Sequence, residues 1–423
     1  MIGGLLRTTS LAALLAVGGL VGGMSQANAA DLGGDCCADL EERVAELEAT
    51  TARKGNRKVS LTVSGQVSEL VYWWDDGQES NVYVGTSGYS SSRFRFKGDA
   101  KISADWSAGY YMELEVVSAS AGGQTAGSDE SGNSVNIRQS NWYLKSKTLG
   151  TLTVGQQSHA TDDIVLYSLA GISHAAGANY NVAPGAGITF RGTTLETNDL
   201  FDFIDSDRAN LVRYDSPTIA GFVLSASWGE DDMWDVALRY AGEFAGIKIA
   251  AGIGYHEERD IEGDITAGHN LGELFNVTDP DFSDVRGSIS ILHDASGLFG
   301  EFSAVHRDYD SARFDNSFYW SVRAGIYQKF FALGKTAIFG EYANMDHSSN
   351  TTFQLNRDTL VNGGLTDAEG TIYGVGLNQQ IDAAAMDLFI GWRHMEADFS
   401  NNGVKVLQTD DIDTVYTGGR IQF

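Results

Sequence analysis

The chain has 423 residues, of which 50 are glycine and only 3 are proline, and its formal net charge at pH 7 is −27. That charge excludes a nucleic-acid binder with a basic surface, two cysteines cannot build a disulfide scaffold, and an aromatic share of 11% is too high for a disordered chain. Abundant glycine with scarce proline favours a large antiparallel β structure with many tight turns.

Residues 1–29 have the three parts of a secretory signal peptide. Arg7 supplies the positive start, residues 11–21 form an apolar stretch, and Ala27-Asn28-Ala29 is a small-residue cleavage site. We therefore expect the exported chain to begin at Ala30. The apolar stretch is too short for a transmembrane anchor, and no later segment approaches ~18 consecutive apolar residues. The exported protein is expected to be either secreted or a membrane β-barrel.

Residues 30–57 are predicted to form a periplasmic helical prefix and linker. Leu40, Val44 and Leu47 recur with the spacing of a coiled-coil seam. Two heptads are marginal in water on their own, so the pattern predicts either a small coiled coil on an oligomer axis or a solvated helix. Cys36 and Cys37 could cross-link chains across that axis or remain free thiols.

From residue 58 to the C-terminus, apolar and polar residues alternate in segment after segment. The alternation predicts an all-β fold, a transmembrane antiparallel β-barrel of about sixteen strands, the even number typical of single-chain bacterial barrels. The expected strands are 58–74, 92–103, 106–118, 134–146, 150–157, 209–215, 220–228, 232–242, 246–256, 284–294, 297–307, 317–330, 335–345, 370–381, 385–396 and 411–423.

The predicted connections alternate between short turns and long polar loops, of which 158–208 is the longest. This asymmetry is typical of an outer-membrane barrel of a Gram-negative bacterium, with periplasmic turns at one end and extracellular loops at the other. The two faces of the predicted strands also fit a membrane barrel. In 220–228, for example, Phe222 and Leu224 lie on one face, and Val223 and Ser225 lie on the other. Two carboxylates depart from this pattern.

Glu69 and Glu341 fall on the apolar phase of their predicted strands. Each carboxylate therefore indicates a bulge, a subunit contact or an error in the predicted register.

The chain resembles the porins of alphaproteobacterial outer membranes. The resemblance is carried by the signal peptide, the segments 35–44 and 59–65, and the terminal strand 415–423, in that order. It implies a sixteen-stranded homotrimeric general porin in contact with outer-membrane lipids and lipopolysaccharide. Phe423 is similar to the terminal signal that the outer-membrane assembly machinery reads, and the prefix 30–57 could reach peptidoglycan.

The resemblance also implies that residues 158–208 form an inward-folded constriction loop. Its candidate acidic residues are Asp162, Asp163, Glu196, Asp199, Asp202, Asp205 and Asp207. The spacing of Asp199, Asp202 and Asp205 predicts a short helix with its acids on one side. Thr197 or Asn198 could cap that helix. The alternative is a solvated acidic loop.

Basic residues on the polar faces of strands are the candidates for the opposite wall of the pore. They are Arg93, Arg95, Lys97, Arg138, Arg213, Arg393 and Arg420. Acids facing arginines across a narrow neck would set up a field that favours polar solutes over apolar ones. The alternative for each arginine is a surface or interface salt bridge. Removing Arg7 takes the charge from −27 to −28, and this excess of carboxylates predicts a preference for cations.

No motif predicts catalysis, so we expect a channel for passive diffusion of small hydrophilic solutes and ions, and no enzyme. The 8 histidines are scattered, and none has the spacing of a metal motif. No cofactor is expected beyond a weak candidate Ca²⁺ site at Asp279, Asp281 and Asp284, for which a plain loop is the alternative. The rival functions are a substrate-selective channel, for example for sugars, and a structural barrel that tethers the cell wall.

Overall fold

The computed structural model describes residues 58–193, 195–205, 208–229, 232–259, 281–311, 314–353, 365–407 and 409–423. The chain divides into two compact units, residues 1–62 and 63–423, and the second unit contains the barrel. The predicted signal peptide, the prefix with Cys36 and Cys37, and the acidic residues Asp207 and Asp279 lie outside the described residues.

The described part of the chain forms one antiparallel sheet that closes on itself. Its strands are β1 (Thr62–Asp75), β2 (Ser80–Thr86), β3 (Ser92–Lys101), β4 (Trp106–Val117), β5 (Ser134–Ser146), β6 (Gly150–Ser158), β7 (Arg208–Asp215), β8 (Phe222–Gly229), β9 (Trp234–Phe244), β10 (Ile247–Glu258), β11 (Phe282–His293), β12 (Leu298–Tyr309), β13 (Phe314–Phe331), β14 (Gly334–Phe353), β15 (Leu365–Ile381), β16 (Met386–Asn401), β17 (Val404–Leu407) and β18 (Ile412–Gln422).

Sixteen of these strands make the closed barrel, which confirms the predicted fold class. The first and last strands close it, since β1 pairs with β18 from Gln66 opposite Gln422 to Asp75 opposite Asp413. The remaining two, β2 and β17, are short strands inside long connections and were not predicted. Both carry exposed valines, Val82 and Val84 on β2 and Val404 and Val406 on β17.

Helices are few and short in the described residues: Tyr180–Val182, Thr197–Leu200 and Asp382–Ala384. None of the helices described here has the length and apolar character needed to cross a bilayer.

The outer face of the barrel is apolar and the inner face is largely polar, as the alternation predicts. On β8, Phe222 and Leu224 are exposed, whereas Val223 and Ser225 are buried toward the interior. Lipid can solvate only apolar side chains, so the exposed residues form the surface that meets the hydrocarbon.

Strand β14 departs from this rule, and of the three explanations considered for Glu341 the structure supports an error in the predicted register, since no bulge occurs there. Glu341 lies on the inner face, together with the buried residues Phe339, Ala343 and Met345. The inner face of β14 is apolar because a long connection, described below, packs against it. The alternate apolar residues of β14 are therefore buried under that connection and do not face lipid.

Glu69 does lie on the outer phase of β1, where it is half-buried. Its carboxylate accepts hydrogen bonds from the hydroxyls of Thr86 at 3.1 Å and Ser92 at 3.0 Å. These contacts come from β2 and β3, so Glu69 stabilises the first hairpin and is not a bulge.

Candidate functional site

Residues 159–205 run inside the barrel along its inner wall, and we call this segment the inner loop. Its backbone is bonded to inward side chains of successive strands. The amide of Thr161 donates to Asp235 on β9 at 2.6 Å. Further along, the hydroxyl of Ser303 on β12 donates to the Val165 carbonyl at 2.6 Å. These bonds hold the main chain of the loop against the wall through side chains of the strands.

The far part of the inner loop reaches β14, β16 and the seam between β1 and β18. The Tyr180 hydroxyl donates to Glu341 at 3.1 Å, and Arg393 donates to the same carboxylate at 2.7 Å. Gly185 has φ +83 and lies over the seam, where a Cβ would come 2.7 Å from Thr414 on β18 and 3.7 Å from Tyr72 on β1. The loop therefore contacts both strands that close the barrel.

An inward-facing glycine on β10 provides the space that the first part of the inner loop occupies. A Cβ on Gly252 would come 2.7 Å from Ile164 and 2.8 Å from Tyr167, both of which belong to the loop. Contacts below 3 Å cannot be kept in a close-packed interior. Glycine is therefore needed here to let the loop pack against the wall, and not only to form tight turns.

Replacing Gly252 by valine should push residues 159–167 off the wall. Overpacking of this kind costs about 1–3 kcal/mol, which would speed amide exchange in that segment between about 5 and 150 times. Hydrogen–deuterium exchange of the protein in detergent measures the change. Gly300→Val is the matched control, because nothing lies within 4 Å of a Cβ at Gly300. Equal exchange in both variants would contradict this packing role.

A cavity of about 750 Å³ remains between the inner loop and the wall. Its charged lining comes from the loop and from strands between β4 and β12. The lining holds the carboxylates Glu115, Asp162, Asp163, Asp202, Asp205 and Glu258, and the arginines Arg138, Arg208, Arg286 and Arg307.

Three predicted acidic residues, Asp162, Asp163 and Asp205, meet at this cavity. One carboxylate oxygen of each lies within 4.8 Å of the others. Arg208 lies 3.2 Å from Asp162, and the Asp163 amide donates to Asp205 at 3.1 Å. Burial and the nearby charges of Asp162 and Asp163 raise the pKa of the Asp205 carboxyl well above its usual range. The trio therefore carries less negative charge at low pH than three separate carboxylates would.

The other predicted acids of the loop are placed differently from the expected helical face. The helix Thr197–Leu200 is capped by Glu196, not by Thr197 or Asn198, and it ends before Asp202. Asp199 accepts a hydrogen bond from the Glu196 amide at 2.8 Å and does not line the cavity. Asp202 is buried and does line it. The helix is short because its acids act as caps and not as one exposed stripe.

Three predicted basic residues converge on one carboxylate that the sequence analysis missed. Glu113 on β4 lies 3.4 Å from Arg93, 2.6 Å from Arg95 and 2.9 Å from Arg138. Arg138 also lies 2.9 Å from Glu115 and lines the cavity. Of the two roles considered for these arginines, a pore wall facing the loop or a salt bridge, the ion pairs with Glu113 agree with the second, and Arg138 also lines the cavity.

The remaining basic candidates show the same pairing, apart from one lysine. Arg213 pairs with Asp215 at 2.8 Å, Arg420 with Asp387 at 2.7 Å, and Arg393 with Glu341, as described above. The Arg393 guanidinium also lies 5.0 Å from the Tyr416 ring and 5.2 Å from that of Tyr180. Lys97 is exposed on the same face of β3 as Arg95. Removing one partner of such a pair would leave a buried charge uncompensated. Acidic residues at inward positions of neighbouring strands were the sequence signal for these pairs.

The candidate Ca²⁺ site is not supported at Asp284. This residue is fully buried on β11, and its carboxylate binds the guanidiniums of Arg286 and Arg307, the latter at 2.8 Å. Two arginines occupy its oxygens, so it cannot also serve a loop-bound cation. Phe423, the predicted assembly signal, exchanges two backbone hydrogen bonds with Gly65, at 2.8 and 3.1 Å.

Comparison with known proteins places this barrel among channels. The sequence model of one family, described as Gram-negative porin, matches residues 10–409. A search of the curated proteins gave no match.

Similar solved structures share the fold at low sequence identity. OmpTdeltaL8, a loop L8 deletion mutant of the outer membrane protein OmpT of Vibrio cholerae, is 13% identical, with 86% of this chain and 100% of that chain covered and a TM-score of 0.54. The anion-selective porin from Comamonas acidovorans is 15% identical over 86% and 100%, with a TM-score of 0.52. OprB of Pseudomonas putida is 11% identical over 91% and 97%, with a TM-score of 0.54.

Proposed function

Because the chain belongs to the Gram-negative porin family and is an outer-membrane porin channel, we propose that it passes small hydrophilic solutes and ions by passive diffusion and prefers cations. The path is the cavity between the inner loop and the wall. The single observation that carries the preference is the charge of its lining. Six carboxylates face four arginines there, which leaves an excess of two negative charges when all are ionised.

The pairing of the wall strengthens this preference. Arg286 and Arg307 share the buried carboxylate of Asp284, and Arg138 shares those of Glu113 and Glu115. Asp284 compensates one of the two positive charges of Arg286 and Arg307, and Glu115 pairs with Arg138, whereas Arg208 lies within ion-pair distance of the loop carboxylate Asp162. A lining of net negative sign concentrates cations.

The proposal also covers the roles of individual segments and the oligomeric state. We propose that residues 158–208 are the constriction loop, that residues 1–29 are removed as a signal peptide, and that Phe423 is read during assembly. The protein is proposed to be a homotrimer of the alphaproteobacterial type and to have no enzymatic activity. A native mass in mild detergent equal to one chain would contradict the trimer.

Planar-bilayer recording in a KCl gradient tests the channel and its selectivity together. The purified full chain should give stepwise single-channel currents and a reversal potential of cation sign. An absence of steps contradicts an open diffusion pore, and a reversal potential of anion sign contradicts the cation preference. Saturable block of the current by one solute would favour the rival reading of a substrate-selective channel.

The cation preference should grow as pH rises. The raised pKa of Asp205 keeps this carboxyl protonated at pH values where a free one is ionised, so the cavity gains a negative charge only as pH rises through that pKa. Asp205→Asn should remove this pH dependence. Asp308→Asn, at a carboxylate that is 67% exposed, is the control. The measurement is the reversal potential recorded across a pH series. If the reversal potential of Asp205→Asn changes with pH as much as that of the wild-type chain, this role of Asp205 is refuted.

A further inference from the structure

We propose that His159, Asp235 and His256 form a binding site for a divalent transition-metal ion of the Zn²⁺ or Cu²⁺ kind, at the looped end of the channel. One ring nitrogen of each histidine and one oxygen of Asp235 lie within 4.8 Å of one another. All three side chains are buried, with Asp235 at 0% exposure. They are distant in sequence, so the fold alone brings them together.

Strand register places two of the three residues side by side. His256 on β10 is directly opposite Asp235 on β9, and both face inward. His159 is brought to them at the start of the inner loop. Its carbonyl accepts a hydrogen bond from Arg213 at 2.8 Å, and the next amide, that of Ala160, donates to Ser227 at 2.9 Å. The site therefore joins the inner loop to the wall.

The carboxylate of Asp235 is oriented by groups behind it. The amide and hydroxyl of Thr161 donate to one oxygen at 2.6 and 2.7 Å, and the hydroxyl of Ser227 donates to the other. Such supporting bonds hold a metal ligand in place before the ion binds. Within the described residues no arginine or lysine forms an ion pair with Asp235, in contrast to Asp284 on the neighbouring β11.

A buried imidazole nitrogen without a hydrogen-bond partner is the second observation that supports a metal site. The Nδ1 atom of His256 is buried and has no hydrogen-bond partner in the part of the chain that the structure describes. The two rings stack with centroids 5.3 Å apart and planes 12° apart, so coordination of one shared ion requires one ring to turn about its χ2 bond. A buried, unsatisfied ring nitrogen is costly, and a metal ion would satisfy it.

The donor set determines the class of ion. Two imidazole nitrogens and one carboxylate suit Zn²⁺ or Cu²⁺, whereas Ca²⁺ and Mg²⁺ prefer oxygen ligands alone. Three protein ligands leave a coordination position for water. Both histidines line the cavity, which gives the ion its route of entry. A bound ion would add two positive charges beside the conduction path. This effect on conduction rests on the proposed function, whereas metal binding itself does not.

Copper binding tests the site without reference to conduction. Cu²⁺ added to the full chain in detergent should give an electron paramagnetic resonance spectrum with coupling to two nitrogens, and Zn²⁺ but not Mg²⁺ should compete. His256→Gln and His159→Gln should each weaken binding by at least about tenfold. Retention of the heat-dependent shift in gel mobility shows that each variant is folded. Spectra unchanged in both variants would overturn the site.

His394→Gln is the matched control. His394 lies with Glu396 and Asp411 in a second group of possible ligands, which does not line the cavity. Loss of the two-nitrogen signal in this variant would also overturn the site. In bilayers, micromolar Zn²⁺ should reduce the potassium current of the natural channel and of His394→Gln, but not of His256→Gln. If Zn²⁺ binds but the current is unchanged, the metal site does not lie on the conduction path. If the wild-type chain gives no current at all, only the proposed function is contradicted.

Discussion

Replacing Glu113 by glutamine is expected to move the selectivity of the channel toward anions. The carboxylate is the shared partner of Arg93, Arg95 and Arg138, and its side chain is only 4% exposed. Glutamine keeps the shape but removes the charge, so Glu115, which pairs with Arg138, becomes the one carboxylate left in ion-pair contact with this cluster in the described residues. Arg138 lines the cavity and carries the field of the cluster to the conduction path.

The size of the effect follows from the energy of one charge. A unit charge about 4 Å from an ion is worth about 1 kcal/mol in water, and Glu113 lies behind the lining, so we expect the permeability ratio to change by up to about fivefold. Reversal potentials in a KCl gradient measure that ratio. Glu243→Gln is the matched control, because Glu243 is exposed near a short turn and does not line the cavity. Equal shifts in both variants would show that total charge, and not the Glu113 cluster, sets the selectivity.

Replacing Asp284 by alanine is expected to lower the stability of the barrel. The carboxylate has 0% exposure and compensates Arg286 and Arg307, which are themselves almost fully buried. Removing one partner of a buried ion pair leaves an uncompensated charge and costs about 3–5 kcal/mol. Here two guanidiniums lose their partner at once. Arg307 also lies 3.6 Å from the Phe282 ring, a contact that cannot replace the carboxylate.

Urea unfolding in detergent micelles, followed by tryptophan fluorescence and by gel mobility, gives the free energy of unfolding. Asp308→Ala on the adjacent β12 is the control, because this carboxylate is 67% exposed and lies 3.3 Å from His306. An exposed pair of this kind contributes about 0–1 kcal/mol. If the two alanine variants lose the same stability, the buried pairing does not stabilise the barrel.

The strands could be predicted because lipid imposes a local rule. Most outward residues are apolar, so a period of two recurs along the strands, as Phe222 and Leu224 show on β8. Strands β2 and β17 were missed because they are only 7 and 4 residues long, too short for a period of two to stand out within a long connection. Glu341 was assigned to the wrong face because its neighbours Phe339 and Ala343 are apolar for another reason, namely that the inner loop covers them.

The candidate site could be predicted only in part. Asp162, Asp163 and Asp205 all belong to the one loop that the family resemblance named, and their carboxylates lie close together. The pairing of Arg95 with Glu113 depends on which residues face each other across β3 and β4, and this register is not visible in the sequence. His159 and His256 were set aside because metal motifs are recognised by short spacing, whereas here an interior loop and a distant strand supply the ligands.

The contact of the inner loop with both strands of the seam has a consequence for the order of folding. Gly185 lies against Thr414 and Tyr72, which belong to the last and the first strand. These two strands are the most distant pair in the chain, and loop-closure entropy makes their meeting slow. The surface that receives this part of the loop does not exist until they have met. We therefore expect the channel to acquire its narrow cross-section as the last step of biogenesis, so that an unfinished barrel would leak more than a finished one.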